Sequence, residues 1–263
     1  MRSLDLLFLS LVLFFGALAF YLYRSNGNSI YQKNFETLDS AKIDQNEAIT
    51  LGDVVMKANG PQITVSKDKD PEGKDKVIKH KSSEDGKMYY VAASLPEKER
   101  AANFLAEISR REQFLLQTLD EMLDGGKELK APDGHVVTDN MKLLVKKHFR
   151  KETPFAEYHN PHDRTVGSNS AKGELVEICL RNKYNTNSWN SLNTAFRVHV
   201  HELAHSADTE YRADGDHGPT FNRLMNYLLE VAENIGIYNC KEYKASGRKF
   251  CGLILQENDD FCK

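Results

Sequence analysis

The sequence has four cysteines, Cys179, Cys240, Cys251 and Cys262, but no Cys-x-x-Cys pair. That absence argues against a zinc ribbon or knuckle. An even number would permit disulfides in an oxidising compartment, yet the spacing gives no framework, and four free thiols in or near a core are expected. No asparagine begins an N-x-S/T sequon, which fits a cytoplasmic setting. Charge of one sign is also lacking: 35 basic against 38 acidic residues leave a net charge of −3 over 263 residues. A global basic surface for nucleic acid is therefore excluded. No internal repeat is visible.

One long hydrophobic run is present. Leu6 to Tyr23, LLFLSLVLFFGALAFYLY, is almost wholly apolar and closes at Arg24. Its length is at the short end of a membrane-spanning helix. Ala17-Leu18-Ala19 offers a signal-peptidase site as the alternative, but Phe20-Tyr21-Leu22-Tyr23 continues the run past it and favours an uncleaved anchor. Residues 1–24 are thus expected to be a single-pass anchor. A slight basic excess after the run places the rest on the cytoplasmic side. Residues 25–87 read as a linker. Within them Ser66 to Lys87, SKDKDPEGKDKVIKHKSSEDGK, has too little apolar surface to fold alone and reads as a solvated tether.

The folded domain is expected over residues 88–263. Met88 to Val91 forms a short strand. Pro96 opens a long helix capped by Ser94, with Phe104, Leu105, Ile108, Leu115, Leu119 and Met122 at helical spacing up to Gly125-Gly126. A second helix spans about Asp139 to Phe149. The alternation in ELVEICLR, Glu174 to Arg181, marks the best strand, whose edge could receive an extended substrate. A third helix runs from about Ser191 to Ala207 with an apolar stripe. A fourth opens at Pro219 and ends near Gly236. A terminal strand is expected over Lys249 to Leu255. The pattern predicts an α+β domain with a small sheet packed on helices.

The chemistry concentrates in His201-Glu202-Leu203-Ala204-His205 and His217-Gly218-Pro219. Two histidines four residues apart share one helix face and can hold one metal ion. His217 can complete a three-ligand zinc site that leaves the fourth position open to water. Glu202 stands where a general base is needed. The metzincin pattern fails, because Asp208 and Tyr211 occupy its Gly and His positions. Glu230 and Glu233 are the rival third ligands, as a gluzincin would use. Asp208, Asp214 and Asp216 read as loop solvation. His199 reads as a buried or supporting residue. His80, His135, His148, His159 and His162 show no partner spacing. Tyr211 and Tyr243 are candidates for assisting at the oxyanion.

Val200 to His205, His217-Gly218-Pro219-Thr220-Phe221 and Phe250-Cys251-Gly252 together resemble the WLM-domain metalloproteases, in the form encoded by large DNA viruses. Leu95-Pro96, Ala101 to Leu105, Gly173-Glu174 and Cys179-Leu180-Arg181 extend the likeness over about residues 88–256. The resemblance implies a compact zincin-like fold, Zn(2+) on His201, His205 and His217, Glu202 as base, protein substrates, and DNA or DNA-bound protein as partners through kinship with the Spartan-type proteases. The apolar run and the lack of a tail that binds ubiquitin-like modifiers depart from that kinship. A membrane-anchored zinc endopeptidase is therefore expected. The alternative is a non-catalytic zinc module that uses the anchor and tether for protein interaction.

Overall fold

The computed structural model describes residues 74–151, 153–170, 175–209, 217–255 and 262. These belong to one compact unit within residues 50–263. The hydrophobic run Leu6–Tyr23 lies outside them. Among the described residues, no helix is long and apolar enough to cross a membrane.

Five strands form the main sheet: β1 (Val77–Lys81), β2 (Met88–Ala92), β3 (Phe155–Glu157), β4 (Gly167–Ser170) and β5 (Leu175–Ile178), in the order β1-β2-β3-β5-β4. The pairs β2·β3 and β3·β5 are parallel, and β1·β2 and β4·β5 are antiparallel. The expected domain start at Met88 moves upstream, because β1 pairs residue for residue with β2 from Val77↔Ala92 to Lys81↔Met88. The stretch 66–87 is therefore not a tether throughout. Its VIKHK segment shows no apolar alternation because it is a mostly exposed edge strand, held by backbone pairing.

Helix α1 (Lys98–Asp124) starts two residues after Pro96 and stops at Gly125-Gly126, with Gly126 at φ 66°. Ser94 does not cap it. The cap position is Glu97, in a left-handed conformation without a capping side chain. Distant and local cations hold the carbonyls ahead of the helix: Arg181 donates to Pro96 O at 2.7 Å and Lys98 to Leu95 O at 2.8 Å. Helix α2 (Thr138–His148) buries Met141, Leu144, Val145 and His148, which recur at helical spacing on one face.

Helix α3 (Leu192–Ala207) begins at Ser191, whose hydroxyl accepts from Thr194 N at 3.1 Å. Its far end is closed by α2. Asn140 donates to Ala207 O at 2.9 Å and Lys147 to Ser206 O at 3.1 Å. Carbonyls left without helical partners are thus satisfied, one by an amide and one by a cation at the negative pole of the helix. Helix α4 (Pro219–Asn234) packs on α3 and ends at Ile235-Gly236, with Gly236 at φ 77°. A short α5 (Cys240–Ala245) follows, capped by Asn239.

The expected terminal strand is instead a hairpin of β6 (Lys249–Phe250) and β7 (Leu253–Ile254). Cys251 and Gly252 have φ of 56° and 81°, a two-residue turn that reverses the chain. The thiols are not free either. Cys179 is bonded to Cys251 and Cys240 to Cys262. Linear spacing hid this, because the first bond joins the end of β5 to a hairpin 72 residues away. The core lies between the helices and one face of the sheet, with Leu105, Ile108, Leu115, Phe155, Val176, Ile178, Phe196, Val200 and Leu203 almost completely buried.

Candidate metal centre

All sixteen side chains of α3 except His201 and His205 are buried. The amphipathic stripe expected for this helix is absent: it is enclosed on every side, and the cover opens only at the two histidines. One turn apart, they bring their Nε2 atoms to 3.2 Å. His217 arrives from the residue before Gly218-Pro219, and its Nε2 lies 3.3 Å from that of His205. The entry of α4 fixes this approach, since Pro219 sets the first helical residue and Asn222 donates to His217 O at 3.1 Å.

Phe221 supplies the floor of the cluster. Its buried ring lies 4.9, 4.4 and 4.5 Å from the imidazoles of His201, His205 and His217, centroid to centroid. Sequence reasoning placed Phe221 in a motif and on the packing stripe of α4 but gave it no part in the site.

The donor set suits a tetrahedral cation. Zinc–imidazole bonds of about 2.0–2.1 Å put neighbouring nitrogens roughly 3.3 Å apart, close to the 3.2 and 3.3 Å between these Nε2 atoms. The ligand atoms of the triad all lie within 4.8 Å of one another. Burial, reinforced by His205 and His217, holds the pKa of His201 down at about 3. It is therefore a neutral imidazole at physiological pH, the form that binds metal. Glu202, 7 % exposed, has its pKa pushed up to about 7 by burial.

The rival ligands do not join the triad. Glu233 accepts instead from Cys240 N at 3.3 Å, and Glu230 is outside the cluster. Asp214, Asp216 and Tyr211 lie outside the described residues. Tyr243 is buried, with the Arg197 guanidinium 4.3 Å above its ring.

The strand expected to offer its edge does not do so. β5 is interior, paired with β3 on one side and β4 on the other. The edge belongs to β4, which lies along α3. Asn169 Nδ2 donates to Glu202 O at 2.9 Å and to Ser206 Oγ at 2.8 Å. The segment GSNS gave little sequence signal because its four residues have no apolar alternation.

Three further buried histidines have acidic partners that the sequence did not show, although His199 was expected to be buried. His159 Nδ1 lies 2.7 Å from Asp75. His148 Nδ1 and His199 Nε2 lie 3.6 and 3.5 Å from the two oxygens of Glu112. All three of these last side chains are buried and their polar atoms lack direct hydrogen bonds. Their acidic partners stand 84, 36 and 87 positions away in the chain, beyond the reach of any local spacing.

With the fold and the triad in view, the comparisons place the chain. The WLM domain family model matches residues 76–260, and the chain belongs to the WLM-domain family. An uncharacterised protein of Acanthamoeba polyphaga mimivirus is 29 % identical over 170 residues, which cover 64 % of this chain and 78 % of that one. Among solved structures, Wss1 from Saccharomyces cerevisiae is 21 % identical over 55 % of this chain and 86 % of its own, with a TM-score of 0.36. A Wss1 mutant from S. pombe is also 21 % identical, over 54 % of this chain and 92 % of its own, with a TM-score of 0.29. The WLM domain and the histidine triad are consistent with a metalloprotease, and so with protein substrates.

Proposed function

We propose that this protein is a zinc-dependent metalloendopeptidase, with His201, His205 and His217 as metal ligands and Glu202 as general base. The supporting observation is the convergence of three imidazole nitrogens beside one buried carboxylate. When bound, zinc supplies Lewis acidity to a water and to the scissile carbonyl. Glu202 takes the proton of the attacking water on its carboxylate and returns it to the leaving amine. An affinity near neutrality suits both acceptance and return. Phe221 closes one side of the triad to solvent. An extended substrate would pair with the outer edge of β4, which no described strand occupies.

The anchoring reading stands on Leu6–Tyr23. If that run spans a membrane, two disulfides favour placing the domain on the oxidising side, opposite to the cytoplasmic side that loop charge alone favours. Thiol labelling of unreduced protein in intact cells distinguishes them, since a cytoplasmic domain exposes reactive thiols. The DNA-linked role implied by resemblance is a separate question. Stimulation of cleavage by single-stranded DNA supports it, and lack of both binding and stimulation removes it.

The central test is Glu202→Gln in the full-length chain. The variant should keep one zinc per chain and lose cleavage of an unfolded protein substrate by about 10²–10⁴-fold. Undiminished cleavage would end the assignment. Zinc binding without any turnover by the unmodified protein would favour the non-catalytic module.

A further inference from the structure

Strand β4 carries two features that face Glu202 and that packing alone does not require. Gly167 is the first. A Cβ built there would stand 3.2 Å from Glu202 Oε1 and 2.8 Å from Val198 Cγ1. Any other residue at 167 would thus press on the carboxylate and collide with Val198. No positive φ demands glycine at this position, so the need is for room and not for backbone freedom. Asn169 is the second. Two residues along the strand it faces the same side, and its amide nitrogen bridges Glu202 O and Ser206 Oγ at 2.9 and 2.8 Å. Both donor hydrogens of one side chain are spent on the turn of α3 that carries Glu202.

We propose that β4 positions the general base, with Gly167 as the gap that admits the Glu202 carboxylate and Asn169 as the tether that fixes the helix turn bearing it. This rests on Glu202 being the base. The consequence is a link between two parts of the site. The strand whose outer edge no described strand occupies also sets, through its inner face, where the base stands. A shift of β4 along α3 would carry the substrate lane and the gap at residue 167 together.

The test uses the full-length chain with zinc loaded. Val198→Ala removes the 2.8 Å contact first, so that Gly167→Ala added to it presses on Glu202 Oε1 at 3.2 Å and meets Glu177 O only at an ordinary 3.5 Å. This double variant should fold and keep its zinc affinity, measured by chelator competition. Its crystal structure should show the Glu202 carboxylate displaced by a few tenths of an ångström, with kcat reduced by about tenfold and KM little changed. In a Glu202→Asp background the shorter side chain leaves room for the methyl group. There, adding Gly167→Ala should change kcat by no more than about twofold, the non-additivity expected when one residue acts through another. Asn169→Ala should lower kcat and leave zinc affinity unchanged.

A carboxylate found in its original place would overturn the proposal. So would an equal loss from Gly167→Ala in both backgrounds, since that pattern reports a general disturbance of the fold. If the unmodified enzyme cleaves nothing, the peptidase assignment falls, while the position of the carboxylate in the variant still decides whether Gly167 sets it.

Discussion

In the centre, burial sets the protonation of His201 and Glu202. Glu202 has a pKa of about 7 because its carboxylate is withdrawn from water. A base must be ionised, so kcat/KM should rise with pH on the acid limb. A bound dication stabilises the carboxylate, so that limb should fall at or below about pH 7. A pH–rate profile rising only above pH 8 would remove Glu202 from the role. His148 follows the same cause with a different readout. Burial lowers its pKa below 6.5, against the opposing pull of Glu112. Above pH 6.5 it is neutral both folded and unfolded and contributes no pH dependence. Below that value the unfolded chain takes up the proton first, so stability is lost as pH falls. Urea unfolding at pH 7.5 and 5.5 should show this loss, and His148→Gln should reduce it.

At the scale of elements, α3 is the part on which the site depends. Its start is held by Ser191 and its end by Asn140 and Lys147 reaching across from α2. Ser191→Ala should cost about 1 kcal/mol of stability, read as a lowered thermal midpoint. Zinc affinity should change little, since His201 and His205 sit in the last two turns and His217 lies outside the helix. The sheet is arranged around this helix in an order that chain sequence does not suggest. β5, the strand with the clearest alternation, is interior, while the edge beside Glu202 falls to the weakly marked β4. Strand strength in a sequence reports burial. Edge position depends on which other strands arrive, and polar edge strands leave a faint signal by nature.

For the whole molecule, the two disulfides tie the C-terminal segment to the rest. Cys179–Cys251 closes a loop of 72 residues that contains α3, α4 and the triad. Its reduction should destabilise the domain by on the order of 4 kcal/mol. A fall in the unfolding midpoint with dithiothreitol, together with weaker zinc retention during denaturation, is the expected result. Cys179→Ser/Cys251→Ser should reproduce it. An unchanged midpoint would show that the hairpin is held by packing alone.

The histidine triad was legible because helical periodicity is local: two histidines at a spacing of four must share a face, and Pro219 after His217-Gly218 must start a helix nearby. The α+β pattern, the four longer helices and the buried stripes of α1, α2 and α4 were legible for the same reason. Tertiary structure alone decided the rest. It paired Val77–Lys81 with the sheet, joined cysteines 72 and 22 residues apart, set Glu112 between His148 and His199, and laid Gly167 against Glu202. Each of these joins groups distant in the chain, and a one-dimensional pattern carries no distance between such groups until the backbone has folded.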